Sequence, residues 1–143
     1  MEFNAKDVDT EYLLERAKKE AHEIFFNHSA RRGRTFEEVY QNVLYGQTPE
    51  VYLIKKHNFT DNPDRYQDII EPSGGRVEVK TTRNIQGVSK TLMRVQKQKK
   101  GESWRNLADI LYIFIGDEFS GDYTLHGIFD WHPTKKQFHA RSK

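Results

Sequence analysis

Leu13, Leu14, Ala17, Ala21, Ile24 and Phe25 recur at intervals of three and four, which aligns them as one apolar stripe and predicts a helix from about Thr10 to Ser29. Asp9 or Thr10 suits its N-cap, and Glu11 its positive end. Arg31-Arg32-Gly33-Arg34 breaks the periodicity. Thr35-Phe36-Glu37-Glu38 then reads as a capping box, followed by a shorter stripe of Val39, Tyr40, Val43 and Leu44. Gly46 is expected to stop that helix. Thr48-Pro49-Glu50 is expected to open another, with threonine as cap and proline in the first helical position. Tyr52, Leu53 and Ile54 give that helix its apolar side, and His57-Asn58 ends it. Thr60 to Gln67, rich in Asp, Asn and Pro, reads as a loop.

The pattern then changes period. Asp68-Ile69-Ile70-Glu71 and Arg76 to Thr82 read as two short strands joined by the turn Pro72-Ser73-Gly74-Gly75. A basic helix is predicted from Ser89 to Lys100, with Gly101 as its stop. Ile110 to Ile115 is an unbroken apolar run of strand length, suited to a central strand covered on both faces. Tyr123 to Trp131 predicts a last strand. The order is helices, hairpin, helix and two strands, which makes an α/β (α+β) domain with a mixed central sheet flanked by helices and N-terminal helices ahead of it.

With 143 residues the chain fits one domain. The absence of cysteine removes disulfides, thiolate metal sites and cysteine nucleophiles from consideration. No apolar run is long enough to span a bilayer and no signal-peptide core follows Met1, so no membrane partner is expected and a cytoplasmic setting is. A net charge of +2 does not by itself indicate a nucleic-acid partner, but its distribution is uneven. Arg83, Lys90, Arg94, Lys97, Lys99, Lys100 and Arg105 crowd a stretch whose sole acid is Glu102. Arg31, Arg32 and Arg34 form a second basic group, and Lys135, Lys136, Arg141 and Lys143 a third. Such patches hold phosphate backbones, and Lys90, Arg94 and Lys97 share one helix face by their spacing. Trp104 is available for base stacking, and Gln96 and Gln98 for base edges.

The candidate chemistry sits on the second strand. Alternation puts Val77, Val79 and Thr81 on one face and Glu78, Lys80 and Thr82 on the other. A half-buried strand with its charges in water gives the same pattern. The hairpin turn brings Asp68 back beside this strand. With an odd-length turn Asp68 joins the Glu78/Lys80 face, and with an even one it faces away. Asp64 is a weaker candidate, lying four residues earlier, up to ~13 Å along an extended chain. A cluster of two carboxylates offers the hard oxygen ligands that Mg²⁺ prefers. The six histidines show no zinc-binding spacing, and no Gly-rich phosphate loop is present.

Asp68, nine intervening residues and Glu78-Val79-Lys80, after a helix bearing Glu50 and before a basic helix and an apolar strand, resemble the PD-(D/E)xK nuclease superfamily. The likeness runs from about Thr35 to Ile115. It departs from the motif in having Gln67 where a proline precedes the aspartate. The resemblance implies a restriction-endonuclease-like core and a Mg²⁺-dependent endonuclease, with Mn²⁺ able to substitute. Asp68 and Glu78 would be metal ligands, with the Val79 backbone carbonyl as a third. Glu50 would act through a metal-bound water or a second ion, and Lys80 would orient or help deprotonate the attacking water. Glu50 has another account, because a helix's first turn favours acids through the macrodipole. Thr82 would reach a phosphate. Arg83, Lys90, Arg94, Lys97 and Arg105 would grip nucleic acid, DNA rather than RNA by the habit of the superfamily. On this reading residues 35–131 form the catalytic core of a single domain, 1–34 an N-terminal helical extension and 132–143 a basic tail. One active site cuts one strand, so double-strand cleavage calls for a homodimer or two successive nicks. A small nuclease of this kind fits phage biology. The alternatives are a non-catalytic nucleic-acid-binding module, a junction resolvase or a ribonuclease.

Overall fold

Among the described residues, seven strands form one mixed sheet: β1 (Glu2–Asn4), β2 (Thr60–Asp61), β3 (Asp68–Ile70), β4 (Arg76–Thr82), β5 (Ile110–Gly116), β6 (Asp122–His132) and β7 (Gln137–Ala140). Four helices flank it: α1 (Thr10–Phe25), α2 (His28–Arg31), α3 (Phe36–Lys56) and α4 (Gln86–Lys100). The structure is a computed structural model and describes residues 1–62, 68–101 and 108–141, with the backbone alone for His28 and Asp68. Asp64, Trp104, Arg105 and Lys143 lie outside the described residues.

The strands run in the order β1-β6-β5-β4-β3-β2, with β7 also on β6. β4 and β5 are parallel and joined through α4, as a parallel pair requires a crossover. All other pairings are antiparallel. β5 is covered on both faces, as its apolar run predicts. Ile110, Tyr112 and Phe114 pack with Val51 and Leu53 of α3, while Leu111 and Ile113 pack with Val88 and Val95 of α4. β6 carries one extra residue, His126, opposite the Ile113–Phe114 step, and a bulge of this kind adds twist and curl.

Several elements differ from the sequence expectation. The first helix ends at Phe25, not Ser29, because the Asn27 side chain accepts from the Ala30 amide and starts the short α2. The N-terminal 1–34 segment is not wholly helical, since β1 pairs with β6 and Phe3 stacks on Tyr52 and Tyr123 at centroid distances of 3.9 and 5.2 Å. Thr60–Asp61 is a strand, not loop. The basic tail contains β7, and Arg141 is committed to Asp130 and Glu71. Strands of two to four residues are too short to show a period, and pairing with neighbours makes them.

The largest correction concerns α3. Gly46 does not stop it and Thr48-Pro49 does not start another helix; one helix runs through both, opened by the expected Thr35/Glu38 capping box. A proline inside a helix withholds the amide that would bond the carbonyl four residues back, here that of Tyr45. The Tyr123 hydroxyl from β6 donates to that carbonyl at 3.0 Å, and Thr48 Oγ1 donates to the Leu44 carbonyl at 2.6 Å. A cross-sheet hydroxyl therefore replaces the missing amide. Tyr123→Phe is expected to destabilise the fold by ~1–3 kcal/mol, the usual range for a buried carbonyl left without a donor. In a Pro49→Ala background the restored amide reaches the same carbonyl, and the Tyr123→Phe penalty shrinks. Equal penalties in a denaturant-melt cycle would remove this account.

α4 turns Val88, Thr91 and Val95 inward and leaves Lys90, Arg94 and Lys97 exposed. No described helix is long and apolar enough to cross a membrane.

Candidate active site

The β3–β4 hairpin decides whether a carboxylate pair can form. Ile70 pairs with Arg76, so residues 71–75 form the loop and their number is odd. The Glu71 amide donates to the Gly75 carbonyl at 2.9 Å and the Gly74 amide to the Glu71 carbonyl at 2.8 Å. Gly74 has φ of 98°, a conformation that side chains disfavour. This loop sets Asp68 directly opposite Glu78 and Ile69 opposite Val77. Directly opposed residues of an antiparallel pair share a face, so Asp68 takes a register position on the Glu78 side of the hairpin.

Lys80 follows Glu78 two residues on, within the stretch of β4 that pairs with β5 from Val77 to Thr82. Its Nζ lies 3.0 Å from Glu78 Oε1, with the Lys80 side chain one-third exposed at 33% and the Glu78 side chain at 7%. The pair therefore differs from a strand with its charges in water: the glutamate is inside and the lysine reaches out.

Glu50 does not stand in a helix's first turn, so the macrodipole does not account for it. It sits deep in α3 and is 6% exposed. Glu50 and the Glu78–Lys80 pair line one cleft of about 340 Å³ together with Glu20, Gln47 and Arg34. Val79 also lines it. Burial pushes the Glu50 carboxyl up to about 8. Arg16 pulls against that shift, while Glu20 and Glu78 add to it. Burial likewise raises Glu20, against a hydrogen bond from Gln47 Nε2. Three carboxylates are thus crowded in a place where charge is costly.

Arg16, beyond the sequence candidates, holds Glu50 and is itself held by Asp61. Arg16 of α1 donates from Nη1 to Glu50 Oε2 at 3.3 Å. It also grips Asp61 two-pronged, Nε to Oδ2 at 3.1 Å and Nη2 to Oδ1 at 3.2 Å. Tyr12 Oη donates to Asp61 Oδ2 at 2.6 Å. Burial opposes the Arg16 charge, yet Glu50 and Asp61 outweigh it and hold the guanidinium above its ordinary value. Arg16 and Glu20 were findable. They sit at helical spacing beside Leu13, Ala17 and Ala21, and charged residues within an apolar stripe mark buried polar groups.

Arg34 reaches the cleft wall with its guanidinium pinned to backbone, Nε to the Arg31 carbonyl at 2.9 Å and Nη2 to the Ala30 carbonyl at 2.8 Å. Thr82, assigned above to a phosphate, is buried and its hydroxyl donates to the Asn84 carbonyl at 2.9 Å, closing the turn into α4. Gln96 accepts from the Phe138 amide and serves β7. Arg83 lies apart from the α4 face, paired with Glu118 at 2.6 Å.

The donor set suits a hard divalent cation. Glu50 and Glu78 offer buried carboxylate oxygens on one cleft, and Asp68 holds the position opposite Glu78. Among the described side chains, which do not include that of Asp68, no group of three or more His, Cys, Asp or Glu is arranged to hold a metal ion. No family model, curated protein or solved structure matches the chain.

Proposed function

We propose that this chain is a metal-dependent nuclease of the PD-(D/E)xK kind, hydrolysing phosphodiester bonds in DNA. The observation that carries the reading is the buried Glu78 paired with Lys80 in a cleft shared with Glu50, with Asp68 opposite Glu78 by register. The order α3, β3, β4, α4, β5, with β4 and β5 parallel, supports a restriction-endonuclease-like core.

Asp68, Glu78, the Val79 carbonyl and Glu50 are the groups that would hold Mg²⁺ or Mn²⁺. Such an ion supplies Lewis-acid polarisation of the phosphoryl oxygen and a lowered pKa for bound water. Lys80, one-third exposed beside Glu78, orients the attacking water and offsets charge that builds on the phosphate. Arg34 on the cleft wall is placed to contact a neighbouring phosphate. The exposed Lys90, Arg94 and Lys97 of α4 add a sequence-independent, salt-sensitive grip on the backbone.

Purified protein is incubated with supercoiled plasmid, linear duplex, single-stranded DNA or single-stranded RNA in Mg²⁺, Mn²⁺ or EDTA. Cutting of DNA in either metal and none in EDTA is the expected result. Folded protein that cuts none of the four overturns the proposal. Salt-sensitive binding without cutting leaves a binding module, and cutting of RNA alone makes it a ribonuclease.

A further inference from the structure

A second cavity, of about 460 Å³, lies beside the cleft between α3 and the turn joining β5 to β6. The two share Asn42 and Tyr45 in their linings, so they form neighbouring compartments along one helix. Phe119 stands at the tip of the turn and is fully exposed, the most exposed large apolar side chain of those described.

That exposure is not the result of a loose turn. Asp117 Oδ1 accepts from the Phe119 amide at 2.8 Å and the Ser120 amide at 3.2 Å, and the Gly121 amide donates to the Asp117 carbonyl at 2.8 Å. Gly121 takes a φ of 77°, and Asn4 of β1 donates to the Ser120 carbonyl at 2.9 Å. Five residues are thus fixed by several bonds from two directions. The backbone that carries the ring has thus already met its ordering cost, which lowers the cost of a contact made through it.

The charges around the cavity select its ligand. Asp117 and Glu118 line it and disfavour a phosphate, while the Phe119 ring stands in water at its rim and Tyr45 lines the side it shares with the cleft. A flat, uncharged ring fits. Its attached phosphate would then fall toward the adjoining cleft, on the Lys80 and Arg34 side. Arg83, with its guanidinium 5.9 Å over Tyr45 and paired with Glu118, stands at the same border.

We infer that this cavity binds an unpaired nucleobase of the substrate, stacked on Phe119, next to the cleft that takes the backbone phosphate. The inference rests on the nuclease reading for the neighbouring cleft and names its substrate class: strands with at least one unstacked base, such as single strands, flaps or bulges. A continuous duplex keeps its bases inside and cannot supply one without unstacking.

The test is fluorescence-anisotropy binding, in EDTA so that nothing is cut, of labelled single-stranded DNA and of blunt duplex of the same sequence. Wild type, Phe119→Ala and Phe119→Tyr are compared, with melting curves to check that each is folded. Phe119→Ala is expected to weaken single-strand binding about tenfold or more, as loss of one aromatic–base stack does, and to leave duplex binding within about twofold. Phe119→Tyr, which keeps the ring, restores wild-type affinity. Unchanged single-strand affinity in Phe119→Ala, or an equal loss on duplex, overturns the base site. A change of oligomeric state in sedimentation also overturns it, by assigning Phe119 to a second copy of the chain. The two readings fail separately: cutting in Mg²⁺ with no effect of Phe119→Ala on binding sinks the base site alone. Phe119-dependent binding without cutting in any metal sinks the nuclease alone. Neither binding nor cutting sinks both.

Discussion

Lys80→Ala is expected to leave the protein folded and to reduce DNA cleavage by about 10²–10⁴-fold, the range for losing a positioned proton-transfer or charge-stabilising group. The side chain is one-third exposed, so the core does not depend on it. Its ammonium has one close partner, the buried Glu78 carboxylate 3.0 Å away. Truncation leaves Glu78 without that cation, so the metal-free variant should melt lower than wild type. Divalent cation should recover more stability in the variant than in wild type. The decisive quantity is the single-turnover rate at saturating DNA. A deficit there, with DNA affinity held within a few-fold, puts Lys80 at the reacting phosphate. An unchanged rate makes the pair a structural ion pair, and the chemistry then belongs elsewhere in the cleft.

What could be read in the sequence follows from the range over which each signal acts. The capping box at Thr35 and Glu38 is a local hydrogen-bond pattern and appears where its letters place it. The apolar run at Ile110 declares burial on both faces without reference to its neighbours. The Asp68–Glu78 relation was legible only as a parity condition on the turn, and the five-residue loop meets it. The continuity of α3 was not legible. Pro49 carries a strong local instruction to break or begin a helix, and the bond that overrides it comes from the Tyr123 hydroxyl, seventy-eight positions beyond the Tyr45 carbonyl that it reaches. The site was half visible for a similar reason. Glu50, Asp68, Glu78 and Lys80 sit in a recognisable order, whereas Arg16 and Glu20 show only that they lie beside the apolar stripe of α1, and what they meet there is set by the packing of α1 on α3. Asp61 was hidden because a two-residue strand reads as loop.

Arg16→Ala is expected to be the most destabilising single change at this site, at about 3–5 kcal/mol, the range for removing one partner of a buried ion pair. The Arg16 side chain is 8% exposed, and its loss removes the cation that Glu50 and Asp61 share. Combining it with Glu50→Gln should cost less than the two separate losses added together, because the two side chains share one hydrogen bond and ion pair. The pH dependence gives an independent reading of the same group. Glu50 binds its proton up to about 8 in the folded protein and near its ordinary 4.5 when unfolded, so between these values the folded state holds more protons. Stability contributed by the protonated group is complete below 4.5 and is lost as pH rises through about 8, with a slope of up to ~1.4 kcal/mol per pH unit. In EDTA, wild-type unfolding free energy should therefore fall across that window, and Glu50→Gln should flatten it. Arg16→Ala removes the charge that pulls Glu50 down, so the window should extend to higher pH. Saturating Mg²⁺ gives the last contrast. If Glu50 faces the cation, the carboxylate stays ionised when metal is bound and the slope disappears. A slope that persists in Mg²⁺ would mean that Arg16 and Glu50 are a buried structural pair, and that the cation is held by Asp68 and Glu78 without them.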